Sequence, residues 1–579
     1  MSEEPKSIWK KSWTGWRGLF FGWLILMAAL AVIFLIWLVT ERMPINKSGD
    51  ELTLFVAAGI GMTVIFLVAT SIRWVCCWRN FKRALFGLAC LVTLIALAYA
   101  EEDWRGWHAW NQFKHQWEAK GEKFDFASVV PPPVPDDQNF ALAPVVASCY
   151  AAWLDKNGNR VKPYNTNVVD RLEFDLGDTS LKTNALGNWV KGTFSNLKSR
   201  QVFYRELGKT NLFPVPPQPQ SPAADVLLAL SKYDTTVEDL RQASQLPQSR
   251  FPLNYGTDNP AEILLPPLAA MKRSIQLLQL RSLAEEQNGQ SDKALADLRL
   301  MLRLTEAIST EPFLISHLVR IAMLQITLQP VYEGLAEHQW SDAQLIALDA
   351  ELAKLNFLAD YKLSMRGEMG LQGGIIDYLI HHRRELSNIG FESGASPPPP
   401  FISLLIPTGW FYQNRLNCAR MMVEFYIPLA DVNQQTVSPA AVRRADGIMA
   451  AETRKRTTPY NILEKLLLPA LGNAVKHFAY AQASVDLART AIALERYRLT
   501  HGGYPDSLNA LAPQFVEKVS HDIIGGGTLH YRRTDDGQFV LYSVGWNERD
   551  DGGVVVFNKG STQAVNRDEG DWVWRYPAR

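Results

Sequence analysis

The sequence has no excess charge of either sign. Its 579 residues carry 59 lysines and arginines against 59 aspartates and glutamates. A chain without net charge lacks the long-range field that gathers nucleic acid, so no nucleic-acid partner is expected. Cysteine is scarce, five in all, and no paired C-x-x-C occurs. That excludes the usual cysteine zinc sites. There is no H-E-x-x-H, no P-loop and no G-x-S-x-G. The commonest metalloprotease, nucleotide-binding and serine-hydrolase readings fall with them. The ten histidines show no metal-ligand spacing.

What stands out instead is three long apolar runs, over residues 18–40, 52–72 and 84–100. A hydrocarbon core of about 30 Å needs about 20 helical residues, so the first two reach across and the third is at the lower limit. Inside lipid each must be helical to satisfy its own backbone. The first run is longer than a signal-peptide core and has no small-residue cleavage site. No acidic or basic side chain interrupts any run, which reads as an anchor rather than an ion path.

Flanking charge sets the expected orientation. The tail over 1–17 carries Lys6, Lys10, Lys11 and Arg17, and the second loop carries Arg73, Arg79, Lys82 and Arg83 without an acid. The third run exits into Glu101, Glu102 and Asp103. The positive-inside rule places the tail and second loop in the cytoplasm and residues 101–579 on the far side. Tryptophans at 9, 13, 16, 74, 78, 104, 107 and 110 fit an interfacial belt. The lipid bilayer is thus one expected partner. Cys149 and Cys418 would face the far side, either as two buried thiols or as a long-range disulfide.

Beyond the third run, 101–139 reads as a helix ending near Gly121 and a proline-rich spacer around Pro131–Pro135. Residues 140–220 are mixed. Asn157-Gly158 reads as a tight turn, and residues 168–176 as a short strand. Ser195 and Lys198 match S-x-x-K with no supporting element, and the match is discounted. From 221 to 470 the chain reads as antiparallel helical hairpins. Leu295, Leu298 and Leu302 repeat at helical spacing, and Ser291 can cap their helix. Ser341 with Gln344 makes a capping box. His381-His382-Arg383-Arg384-Glu385 and Glu285-Glu286 read as solvated helix surface.

The last hundred residues carry a resemblance. The helix-like Ala491–Leu499 runs into Thr500-His501-Gly502-Gly503-Tyr504-Pro505, followed by Phe539-Val540-Leu541-Tyr542-Ser543-Val544-Gly545 and Asp550-Asp551-Gly552-Gly553. This order resembles the globular head of type II secretion major pseudopilins, relatives of type IV pilins. The family's N-terminal methylation motif and first helix are missing here, so prepilin processing is not implied. The resemblance implies a helix ending at the glycine turn with a small antiparallel sheet packed on it. Ala488, Ile492 and Leu499 can face that core. It also implies a calcium loop, onto which Asn547, Asp550 and Asp551 fall, with Asp568 and Asp571 nearby. A polar β-turn is the alternative.

The fold class expected is mainly α: three N-terminal transmembrane helices, an extracytoplasmic helical domain of antiparallel hairpins, and a C-terminal α+β pilin-head-like domain over 471–579. The resemblance implies a bacterial inner membrane with the bulk in the periplasm. The expected role is an envelope scaffold with other envelope proteins as partners. An accessory of a secretion or pilus-like system and an extracytoplasmic enzyme are the alternatives.

Overall fold

The computed structural model describes residues 18, 20–33, 48–75, 78–155, 157–161, 165, 167–176, 186–209, 211–387, 400–468, 471–559 and 565–576. The expected cytoplasmic tail over 1–17, Cys76 and Cys77, the end of the first apolar run and residues 396–399 lie outside them. Two compact units result, Met1–Glu102 and Asp103–Arg579.

In the first unit the chain is helical over α1 (Phe20–Ile33), α2 (Ser48–Val75) and the start of α3 (Trp78–Glu118). Their apolar side chains point outward, Ile25, Ile65, Phe86 and Leu94 among them. In this unit, among the described residues, α3 is long and apolar enough to cross a membrane. The apolar stretches Phe20–Ile33 and Gly59–Ile72 are shorter. Helix α3 passes the expected membrane edge at Ala100 without a break. It ends at Glu118, and Gly121 follows with a positive φ of 93°.

The second unit is mainly helical. Its principal helices are α4 (Asp234–Ala243), α5 (Pro267–Gln287), α6 (Ser291–Glu306), α7 (Leu314–Ala336), α8 (Asp342–Leu352), α9 (Phe357–His381), α10 (Thr408–Met421) and α11 (Ala474–His501). Helices α5 and α6 form a hairpin closed at Gly289, whose φ of 72° suits a residue without Cβ. Ser341 and Gln344 form the expected capping box at the start of α8. Ser291 does not cap α6; it is the first helical residue, and Gln344 Nε2 reaches its hydroxyl at 3.5 Å.

Helices α7 and α11 pack at the centre. Helix α7 is also apolar enough to cross a membrane by length and composition, yet 67% of that window is buried inside the unit. A helix apolar on all sides is covered on all sides, and here protein covers it. Helix α11 ends as the glycine turn requires, with Gly502 at φ 81° and its N–H donating to Arg498 O at 2.8 Å. Beyond it, β1 (His530–Arg533), β2 (Phe539–Ser543) and β5 (Trp572–Arg575) form an antiparallel sheet in the order β1-β2-β5. The hairpin β3 (Val555–Phe557) and β4 (Val565–Gly570) stands as a second sheet. All five residues of β2 are buried. Phe539 and Leu541 join the main core, while Val540 and Tyr542 pack with Val573 in a small second cluster. Strand β2 therefore alternates between two covered faces.

Several expectations change. Residues 168–176 form no strand; Asp170 Oδ1 accepts the Leu172 N–H at 2.8 Å and bends the chain into a turn. The proline segment is no free spacer, since Pro131 is buried and its carbonyl accepts from Arg250 Nε at 2.9 Å. Leu499 is exposed although Ala488 and Ile492 are buried. Residues 471–579 share one continuous core with the helical hairpins, from Trp110 through Leu298 to Trp574.

Candidate functional site

Helix α5 ends in Glu285-Glu286, and both side chains are buried, not solvated as their charge suggests. The hairpin folds α6 back over them, and the loop at 186–197 closes the other side. Asp297 of α6 sits among them. Its Oδ1 accepts from Arg241 of α4 at 2.7 Å and its Oδ2 from Arg281 Nε at 3.0 Å. Arg281 also lies 3.8 Å from Glu285. Burial and then the Asp297 charge push Glu285 up to about 8, with Arg281 opposing. Burial, then the neighbouring Glu333, holds Glu286 well above the ordinary carboxylate range.

Glu333 of α7 completes the group. Its Oε1 accepts from Ser195 N at 2.9 Å, Ser195 Oγ at 2.6 Å and Gln329 Nε2 at 2.7 Å. Burial raises its pKa against those bonds. Gln287 Nε2 donates to the Ser195 carbonyl at 3.0 Å, so both ends of the site grip the same residue. Ser195 is thus an anchor for its loop; the S-x-x-K match plays no part. Glu285 Oε2, Glu286 Oε2 and Gln329 Oε1 have no hydrogen-bond partner among the described residues. Acceptors outnumber donors, which favours neutral carboxylic acids here. The cluster can hold protons and tie α5, α6, α7 and a loop together.

A second group lies between α7 and α11. His338, just past α7, has a positive φ of 56°, which few non-glycine residues adopt. Its Nδ1 is 3.0 Å from Glu495 Oε1. Arg498 Nη2 donates to the same oxygen at 2.7 Å, and the Tyr504 hydroxyl donates to Oε2 at 3.0 Å. Burial raises the Glu495 pKa, but the Arg498 and His338 bonds prevail and hold it below the usual value. An ionised carboxylate only accepts, so the imidazole presents a proton on Nδ1.

Of the three residues expected as calcium ligands, the structure brings two together. Asn547 Nδ2 donates to Asp551 Oδ2 at 2.7 Å. Asp550 instead accepts from the Tyr542 hydroxyl at 2.9 Å and lies 3.2 Å from His530 Nδ1. Asp568 is bonded to Lys476. Asp571 is buried and accepts from the backbone N–H groups of Asp551, Gly553 and Val554. It holds the loop by its backbone. Among the described residues no three His, Cys, Asp or Glu side chains are grouped to share a metal ion.

His381 and His382 are exposed, and each Nδ1 bonds a carbonyl of its own helix. Cys149 and Cys418 are buried free thiols, not a disulfide. Burial pushes the Cys149 thiol up to about 12 and raises Cys418 further. Beside Cys418 lies a cavity of about 10 Å³ among Trp110, Phe124, Met369 and Arg415, the room one water needs.

Sequence reasoning missed Glu285, Glu286, Glu333, His338 and Glu495 as interior groups. One signal was present. Glu285-Glu286 sit next to an N-G turn that folds an apolar helix straight back over them.

No protein-family model, no curated protein and no solved structure matches this chain.

Proposed function

We propose that this protein is a membrane-anchored scaffold of the bacterial envelope that binds other envelope proteins. The observation that carries the reading is α3. Its apolar window has no buried side chain, and the same helix runs on into the folded unit. Apolar surface of that extent is unfavourable in water and suits a bilayer. The three apolar runs favour three spans, and the flanking positive charge favours an N-terminus in the cytoplasm with residues 101–579 in the periplasm. The folded unit uses its buried charges as internal ties: Asp297 joins α4, α5 and α6, and Glu495 joins α11 to His338. Ties of this kind suit a rigid platform that presents surface to partners.

The test has two arms. Arg160→Cys in intact cells should react with an impermeant thiol reagent from outside the inner membrane; labelling only after permeabilisation would overturn the sidedness. Crosslinking of the full chain in native membranes should recover the same envelope proteins repeatedly. Robust turnover of a cell-wall, peptide or ester substrate, abolished by one point change, would replace the scaffold with the enzyme reading.

A second reading is an accessory of a secretion or pilus-like system. Helix α11, its glycine ending and the antiparallel sheet beyond it support that reading. Pseudopilins among the crosslinked partners would favour it.

A further inference from the structure

The proline segment has a conformation that its sequence dictates and a burial pattern that the fold adds. In Pro131, Pro132, Pro133 and Pro135 the ring locks φ at about −65°. Val130, Pro131, Pro132 and Val134 each precede a proline, which drives their ψ to extended values. The product is polyproline II, three residues to the turn. Pro135 stands in it, at φ −56° and ψ 138°. Burial follows the same period. Pro131 is buried and Val134 half-buried, while Pro132, Pro133 and Pro135 are exposed. One edge of this helix lies on the folded unit and two edges face solvent.

Both ends are held by the same neighbour. Arg250 Nε donates to Pro131 O at 2.9 Å. Past the last proline, Asn139 Nδ2 donates to Arg250 O and Asn139 Oδ1 accepts from Arg250 N, each at 2.8 Å. Gln248 N donates to Gln138 O at 3.2 Å, and Phe140 N to Gln248 O at 2.9 Å. The five residues between, at about 3.1 Å each, make a strap about 15 Å long. It is ordered by folding, so a partner would not have to order it.

Charge marks one end of the strap. Asp136 and Asp137 follow the last proline, and both are exposed. Among the described residues neither side chain has a hydrogen bond or an ion pair. The stretch beside them, 242–249, is uncharged. The basic groups nearby are engaged elsewhere. Arg250 lies over the Tyr255 ring at 5.5 Å. Arg303 lies over the Phe140 ring at 5.7 Å and donates to the carbonyls of Ser244 and Leu246. Upstream of the strap, Asp125 faces Lys114 and Arg415 at 3.6 and 3.9 Å. The net negative charge is thus confined to the end at Asp136-Asp137.

We infer that residues 132–137 are a docking edge for a partner protein that offers an aromatic-lined groove with a lysine or arginine at one end. Proline rings on adjacent edges of a preformed polyproline II helix fit between aromatic side chains. The basic residue answers the two uncompensated carboxylates. The inference rests on the scaffold reading and names the chemistry of one partner.

The full chain in native membranes tests it, with benzoylphenylalanine at Gln138, which is exposed beside the acidic pair. Illumination should join this site to one protein, through a peptide of that protein that carries aromatic and basic residues. Pro132→Ala with Pro135→Ala should lower the yield about tenfold, because the rings that fill the groove are gone. Asp136→Asn with Asp137→Asn should lower it about fivefold at low salt and abolish its salt dependence. All four side chains are exposed, so neither variant should change the melting temperature. If the proline variant does melt early, the asparagine variant decides. An adduct that survives both variants, an adduct with a second copy of this chain, a partner peptide without aromatic residues, or no adduct at all would overturn the inference. Lysine-directed crosslinking of the same membranes separates that failure from failure of the scaffold. Envelope proteins recovered there would leave the scaffold standing, and none recovered would remove it.

Discussion

Glu495 and His338 lie 157 residues apart in sequence and 3.0 Å apart in space, joining α11 to the residue just past α7. Glu495 is buried, and Arg498 and Tyr504 bind its remaining acceptor positions. The pair sits where the helical hairpins meet the C-terminal sheet, so its loss tests how firmly the two are joined.

Removing that carboxylate leaves His338 and Arg498 without their partner. Glu495→Ala should cost about 3 kcal/mol, at the lower end for a broken buried pair because the His338 and Arg498 side chains both keep some solvent. Its pKa is depressed in the folded state, so its stabilisation is present above the ordinary glutamate value and lost as pH falls below it. Wild-type protein should lose stability on acidification, and the variant should lose less. Urea unfolding followed at neutral and acid pH measures both; parallel curves for the two proteins would reject the assignment.

Glu285 should act with the opposite sign. Its pKa is raised from 4.5 to about 8 in the folded protein. The stability tied to the proton is complete below 4.5 and is lost as pH rises through about 8. Glu285→Gln stays neutral throughout. The melting temperatures of variant and wild type should be close at acid pH and separate in the variant's favour on the alkaline side. Curves that do not diverge would show that Glu285 ionises freely.

Leu298 is fully buried in α6. Leu298→Ala should cost about 2–5 kcal/mol, the transfer loss plus a cavity that the hairpin cannot close. Calorimetry of the chain in detergent reads it directly. An unchanged transition would mean that α6 presents another face to the core.

Gly106 meets Gly409 backbone to backbone, and neither chain can yield locally. Gly106→Ala should push the start of α10 away, seen as faster amide exchange over Thr408–Met421. Gly447→Ala is the contrast: nothing lies within 4 Å of the added carbon. There the methyl should be neutral or stabilise its helix, Pro439–Arg454, by about 0.5–1 kcal/mol. Equal exchange in both variants would show that the glycine contact does not hold α10.

The features legible in sequence were those decided within a few residues. The capping box at Ser341 is complete within four residues of chain. Gly502 ends α11 because its own φ must be positive, and Asn157-Gly158 turns because Asp155 accepts from Asn157 N at 2.8 Å. The apolar side of α6 follows from a spacing that helical geometry fixes in advance. Helical character near residues 20, 60 and 90 follows from unbroken apolar composition in the same way.

Burial of the charged residues was not legible, because burial depends on what packs on top. The Asn288-Gly289 turn hints that α6 folds back over Glu285-Glu286, but no residue near them encodes the loop at 186–197 that completes their cover. Ser195 finds Glu333 across 138 residues, and no local pattern encodes that meeting. The capping box at Ser341 and the ending of α11 at Gly502 could be read in advance, since backbone dihedrals and hydrogen bonds there are settled among near neighbours. The tertiary structure alone decided which carboxylates lose their water, that α7 is covered by protein, and that Leu404 and Leu405 stay outside, since solvent exposure is set by contacts between distant parts of the chain.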